Sequence, residues 1–595
     1  MCRILGIVSS KTTLTETYQQ VSQMCKILQH GGPDNEGIYQ NTDGTVCLGH
    51  RRLSILDLSA AGHQPMCSDD KQIWISFNGE IYNFKVLRRE LISLGYSFNT
   101  NTDTEVILKA YQEWGTQSFS KLKGMFAFAL YDERDRQVYL VRDAAGIKPL
   151  YFSVNNGDLV FASEIKAFSI SDFKFEKDEN WKIYLLAFGH IPEPFTTLKG
   201  VHSLAKGHYL TWNIADLSYI IKSFKSFSYT KEITDIEEAI FEVKKSLTSS
   251  VISHLISDAP IGVFLSGGID SSILTLIADQ YQGTKLNSLS INLQETDYSE
   301  KRYQEMVTKT IQGSHNEFFI NYKEFIKNFE TIVSSMDQPS TDGINSWFVS
   351  KYAKENGLKA VLSGLGGDEL FGGYPSFQRM DMLSAIKKLP SALIKGTEYH
   401  PNHKYKRLYY LSYDNPVGEY LFLRGFFTPP LIASILDADL KEIDSIVNSF
   451  PLSKEVSSLS GGNRASWFET NMYMQNQLLK DTDYMSMSHG IEVRVPFLDQ
   501  DLISTALRID PKVKFSRQLH KVLLIKAFKD VLPEPVWNRK KMGFSFPFQE
   551  WMSRFEQISN PDRYRNKTTK KLIKDFHKGN LHWSSAFALY HINNA

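Results

Sequence analysis

Cys2 stands one residue from the start of the chain. If Met1 is removed, this residue carries both a thiol and a free α-amino group. An α-amine has a pKa of about 7.7–8.0, so near neutrality much of it can accept a proton. It can serve as the thiol's own general base, with no histidine required. Such a nucleophile needs donors for the oxyanion that forms when it attacks an amide. The run Phe77-Asn78-Gly79-Glu80-Ile81-Tyr82-Asn83 offers the Asn78 side chain and the Gly79 backbone N–H. A substrate clamp is also needed. Arg52, in Gly49-His50-Arg51-Arg52-Leu53-Ser54-Ile55, can grip an α-carboxylate bidentately, and Glu80 and Asp103 can receive an α-ammonium. Taken alone, Asn78-Gly79 reads more readily as a β-hairpin turn. Cys25, Cys47 and Cys67 lack metal-ligand clustering and read as packed thiols.

A second constellation lies in the other half. Ser266-Gly267-Gly268-Ile269-Asp270-Ser271-Ser272 follows the β-type run Ile261 to Leu265 and opens the helical stretch Ile273 to Gln280. Glycines let backbone approach phosphate closely, and a helix N-terminus presents unpaired N–H groups and a positive dipole end. No lysine follows the glycines, so this is not the GxxxxGK[ST] loop. A second glycine turn, Ser363-Gly364-Leu365-Gly366-Gly367-Asp368-Glu369, again leaves a strand and carries carboxylates.

The elements that must hold these groups differ between the halves. Residues 1 to about 210 read as short strands with turns and a few helices, including a hairpin returning through Val138 to Val141. A polar stretch, roughly 212 to 233, follows. Thr234-x-x-Glu237 then makes a capping box, and Ile236, Ile240, Val243, Leu247, Val251 and Leu255 recur at helical spacing. Strand, glycine loop and helix, with further strands near Leu286 to Leu293 and Lys359 to Leu362, is the grammar of a parallel α/β domain. From about 380 onward the pattern is mainly helical. The reading is therefore two domains, 2–210 and 235–595. A net charge of +1 gives no reason to expect nucleic acid as a partner. No apolar run is long enough to span a membrane, and the N-terminus lacks a secretory signal, so a cytoplasmic protein is expected.

Cys2, His30 with Gly32-Pro33-Asp34, the Arg52-Leu53-Ser54-Ile55 run with Leu56, Asn78 to Asn83, Thr102-Asp103-x-Glu105 and Arg142-Asp143 with Gly146-x-Lys148-Pro149 together resemble the class II glutamine amidotransferase domain. The resemblance implies an αββα N-terminal-nucleophile hydrolase sandwich. Cys2 would be the nucleophile, Asn78 and Gly79 the oxyanion hole, and Arg52, Leu53, Ser54, Ile55, Leu56, Glu80 and Asp103 would bind glutamine along with them. Arg3 stands where that family usually has glycine, and Gly31 where it often has arginine. In the second half, Ser266 to Ser272, the Asp368 segment, Met485 to Asp499 and Arg539-Lys540-Lys541-Met542-Gly543-Phe544 are similar to the asparagine synthetase type of ATP pyrophosphatase. This implies an α/β parallel-sheet domain with a helical C-terminal part, which converts a carboxylate to an acyl-AMP. ATP would contact Phe264, Ser266, Gly267, Gly268, Asp270, Ser271, Ser272, Ile291, Ser363, Gly364 and Lys541, with Mg²⁺ on Asp270 and Asp368. An internal ammonia channel and a homodimer are further expectations of the family. Leu365 stands where glutamate is usual. Either Glu369 or another carboxylate replaces it, or the acceptor is not aspartate but another carboxylate, such as a uronate sugar.

Overall fold

Along the strand Arg3–Val8 every side chain is buried, and the period of two divides them between two cores. The protein is described here by a computed structural model covering residues 2–595 except 171–172, 294–299, 388, 401, 517 and 541–545. Ile4 and Val8 enter one apolar cluster, Leu5 and Ile7 another. The strand Gly124–Asp132 is sorted likewise, with Ala127, Ala129 and Tyr131 in the first cluster and Phe126, Phe128 and Leu130 in a third. Strands buried on both faces need cover on both. Two antiparallel six-stranded sheets accordingly face one another across the Ile4–Ala127 cluster. Helix Leu14–Ile27 covers the outside of one sheet, and helices Phe84–Ser93 and Asp103–Trp114 cover the other. This is the expected αββα sandwich.

Two local readings change. Asn78 and Gly79 are not at a turn: they lie inside the strand Ile73–Ile81, opposite Ala127 and Phe126. A Cβ on Gly79 would collide with the Met125 carbonyl oxygen, so glycine serves a close strand approach, not a chain reversal. The amphipathic helix Ile236–His254 is capped by Asp235, whose carboxylate accepts from Glu238 N–H at 2.8 Å. The cap is one residue later than Thr234, because Asp235 and Glu238 have the same spacing and a better capping side chain. The strand Ser218–Ser223 pairs with His208–Asn213 and extends the second sheet beyond residue 210.

The second half holds a parallel sheet in the order Ser314–Ile320, Asn287–Leu293, Ile261–Phe264, Ala360–Leu362, Glu492–Arg494. The chain runs outward from Ile261–Phe264 to one edge, then returns to the other side of that strand. The topological switch point lies between Ile261–Phe264 and Ala360–Leu362, where α/β sheets place ligands beyond the carboxyl ends of their strands. Both glycine loops leave those two strands. Helices dominate after residue 375. Leu53, Ile55, Tyr82, Met125 and Ile147 of the first half share one apolar cluster with Leu265, Met474, Leu479, Val493 and Val495 of the second.

Candidate functional site

Cys2 precedes the strand Arg3–Val8 and is 8% exposed. Its N–H donates to Asn78 Oδ1 at 3.1 Å, and its thiol points to the Leu53 carbonyl at 3.9 Å. Burial pushes the thiol above its ordinary pKa, so the resting group is protonated and needs a base. Asn78 is fully buried, and its Nδ2 has no hydrogen-bond partner among the described residues. A buried amide N–H₂ left without an acceptor costs about 1–3 kcal/mol, which suits a donor kept for a transient oxyanion. Glu80 and Asp103 are both buried. Burial raises Glu80 well above the usual carboxylate range against the opposing charge of Arg494, while burial chiefly, with Glu492 adding, pushes Asp103 up to about 7. Arg52 lies at the end of the strand Val46–Arg52. Its guanidinium donates to the carbonyls of Ser59 at 2.9 Å and Asp57 at 2.5 Å. Arg52 and Ser54 line a cleft of about 420 Å³, whereas Leu53 and Ile55 are buried. The Leu56 carbonyl also accepts from Arg52, at 3.3 Å. Cys2, Asn78, Gly79, Glu80 and Asp103 do not line that cleft.

The two departures in this half face each other. A Cβ on Gly31 would lie 2.6 Å from Arg3 Cγ, so the Arg3 side chain fills the space beside position 31. Arg3 Nε donates to Glu164 at 2.5 Å, and its Nη1 lies 2.9 Å from Asp483 of the second half. His30 Nε2 meets the same Glu164 oxygen at 2.9 Å. An arginine beside a nucleophile that usually has glycine is thus paired, buried and used as a bridge.

The nucleotide loops line one cavity of about 480 Å³. Ser266 N–H donates to Ser271 Oγ at 3.2 Å, folding the first loop onto the start of helix Ile269–Gln282. Phe264, Ser266, Gly268, Asp270, Ser271, Ile291, Ser363, Gly364 and Asp368 all line the cavity; Gly267 and the fully buried Ser272 do not. Lys541 lies outside the described residues. Leu365 and Glu369 are both on the wall, the two oxygens of Glu369 taken by Gly366 N–H at 3.1 Å and Tyr374 O–H at 2.7 Å. Lys521 went unnoticed in the sequence reading. It pairs with both Asp270 and Asp368, although it is distant from both in sequence and only follows a histidine in a polar stretch. Arg539, also on the wall, donates to the Gly267 carbonyl at 2.9 Å and pairs with Glu300 at 2.6 Å.

The donor set at the two loops suits a divalent cation shared with phosphate. A Cβ on Gly367 would lie 2.5 Å from Asp270 Oδ1, so the loop comes close to that carboxylate only because Gly367 has no side chain. Two carboxylates with no third His, Cys, Asp or Glu form an incomplete cage among the described residues. Mg²⁺ is typically held in just this way, by one or two carboxylates together with substrate phosphates. The residues fit.

Arg494 joins the two centres. Its Nη2 lies 3.3 Å from Glu80, its Nε donates to Glu492 at 2.6 Å, and its backbone carbonyl accepts from Ser363 N–H at 2.8 Å.

A glutamine amidotransferase domain profile matches residues 1–225, and an asparagine synthase profile matches residues 242–570. Asparagine synthetase [glutamine-hydrolyzing] 1 of Bacillus subtilis (strain 168) is 33% identical over 565 residues, covering 93% of this chain and 88% of that protein. Asparagine synthetase B [glutamine-hydrolyzing] of Escherichia coli (strain K12) is 29% identical over 570 residues, covering 92% of this chain and 82% of its own. On the strength of both halves, this chain belongs to the glutamine-hydrolysing asparagine synthetase family.

Proposed function

We propose that the chain amidates aspartate to asparagine in two coupled reactions. Cys2 Sγ, its proton taken by the α-amine, attacks the side-chain carbonyl of glutamine. The oxyanion is held by Asn78 Nδ2 and Gly79 N–H, ammonia leaves, and water hydrolyses the thioester to glutamate. Arg52 holds the glutamine carboxylate, while Glu80 and Asp103 hold its ammonium. In the second centre ATP is a substrate. An aspartate side-chain oxygen attacks the α-phosphorus, forming the acyl-AMP as the bond to pyrophosphate breaks. Ammonia then attacks the acyl carbon, AMP leaves, and a proton is lost. Asp270 and Asp368 would hold Mg²⁺, which would supply neutralisation of phosphate charge there. Lys521 adds a cation at the same place, and Ser266, Gly268 and Ser363 present the loops to the phosphates.

The observation that carries this reading is the pairing, in one chain, of a buried Cys2–Asn78 centre with two glycine loops at a sheet's switch point. Ammonia passing between them meets the apolar cluster of Leu53, Ile55, Met125 and Met474, which favours the neutral form. The proposed domains are 2–210 and 235–595, with Ser218–Ser223 packed on the first. A cytoplasmic homodimer is proposed as well, tested by light scattering. The comparisons favour aspartate over the other carboxylates. The decisive experiment measures pyrophosphate and asparagine with ATP, Mg²⁺ and glutamine, with and without aspartate. Aspartate-dependent, equimolar formation of both is expected. Glutamate release without asparagine overturns the acceptor.

A further inference from the structure

The wall of the large cavity carries Asp270, Asp342, Asp368, Glu369 and Asp481, against Lys521 and Arg539 as permanent cations. Both cations are engaged at the nucleotide loops, Lys521 by Asp270 and Asp368 and Arg539 by Glu300. Asp342 and Asp481 lie elsewhere on the wall and come from different helical segments. Asp342 stands just before helix Ile344–Glu355, and Asp481 lies on helix Leu479–Met487, which packs against it. Gly343 lets them meet. It adopts φ +92°, and a Cβ there would lie 3.2 Å from Asp481 Cβ and 3.4 Å from its Cγ.

Asp481 is 3% exposed. Its Oδ2 accepts from Ser340 Oγ at 2.8 Å, while its buried Oδ1 has no hydrogen-bond partner among the described residues. Burial and the neighbouring Asp342 both disfavour its charge and outweigh Lys480, whose ammonium donates to the Ile191 carbonyl; burial likewise outweighs Arg424 at Asp342. Two carboxylates pressed together inside a cavity, one with an unmet acceptor, call for a cationic donor. Nucleotide binding makes that need greater, because ATP with one Mg²⁺ is still negative. An anionic acceptor would be repelled from such a cavity unless part of it were positive.

We propose that Asp342 and Asp481 form the acceptor's ammonium subsite, receiving the α-amino group of aspartate and leaving its side-chain carboxylate to face the nucleotide loops. This rests on aspartate being the acceptor. The subsite selects carboxylates that carry an amine and disfavours those without one.

The test uses full-length protein, ATP–Mg²⁺ and ammonia as nitrogen source, with ATP–pyrophosphate exchange supported by aspartate or by succinate. Wild type is expected to prefer aspartate by about 10³-fold or more in kcat/KM. Asp481→Asn and Asp342→Asn should each raise KM for aspartate about 10- to 100-fold and shrink the aspartate-to-succinate ratio at least tenfold. The KM for ATP and the glutaminase kcat/KM should stay within about twofold, which a merely structural role would not allow. If Asp481→Asn does not fold, the half-buried Asp342→Asn carries the test alone. Wild type that uses aspartate and succinate equally, or variants with an unchanged ratio, overturns the subsite and leaves the synthetase standing. Wild type that uses neither overturns the aspartate reading and the subsite with it.

Discussion

Asn78→Ala separates the two reactions most sharply. In the resting fold Asn78 Oδ1 accepts from Cys2 N–H at 3.1 Å, while Nδ2 is buried without a partner. Truncation removes both groups. Loss of the acceptor costs about 1 kcal/mol, and loss of the stranded donor returns a similar amount. The net change in fold stability should stay within about 1 kcal/mol. The glutaminase transition state has no such offset. Losing one oxyanion donor in a dry site costs about 2.7–4 kcal/mol, or about 10²–10³ in kcat. Glutamate release and glutamine-dependent asparagine formation should both fall by that factor. Ammonia-dependent synthesis should remain within about twofold, since Asn78 does not line the nucleotide cavity. Product formation with glutamine and with ammonium chloride, alongside thermal unfolding, checks all three. An equal loss with both nitrogen donors at unchanged stability would refute the assignment.

Other outcomes follow from the same geometry. Cys2→Ala should abolish glutamine-dependent synthesis and spare ammonia-dependent synthesis, which parallel assays of the two nitrogen donors would read out. Asp270→Asn and Asp368→Asn should each cut pyrophosphate release by about 10³-fold, as expected for several kcal/mol of lost phosphate-charge stabilisation, and leave glutaminase activity measurable. Asp103 predicts a pH effect. Its folded pKa, about 7, lies above the ordinary 3.8, so between those values the folded protein holds a proton that the unfolded chain releases. Its contribution to stability is therefore fully present below about 3.8 and is lost as pH rises towards 7. The bound ammonium wants the ionised form, so kcat/KM for glutamine should rise with pH up to about 7. Asp103→Asn should flatten that limb in a pH–rate profile.

Much of this was legible because the chemistry sits in short contiguous runs. Asn78-Gly79-Glu80, Ser266 to Ser272 and Ser363 to Glu369 each keep their functional groups within one strand or loop, so each run can be matched whole to the families it resembles. What stayed hidden depends on long-range pairing. Lys521 reaches Asp270 across 251 residues, Arg494 reaches Glu80, and Asp342 meets Asp481 only through the left-handed turn at Gly343. The Asn78-Gly79 turn failed because that dipeptide's local preference was overridden by strand pairing with Ala127 and Phe126. Arg3 and Gly31 looked like separate departures, and only the fold puts one side chain into the space left by the other.

The apolar cluster shared by the two halves restricts how such a gene can be recombined. A crossover placed between residues 224 and 235 would cut no strand of the parallel sheet and no strand of the sandwich. It would nonetheless part Leu53, Ile55, Tyr82, Met125 and Ile147 from Met474, Leu479, Val493 and Val495, and Glu80 from Arg494. Chimaeras that draw their halves from different relatives should therefore work only where both facing patches descend from one parent. A freely transplanted amidotransferase half would expose that greasy surface and aggregate.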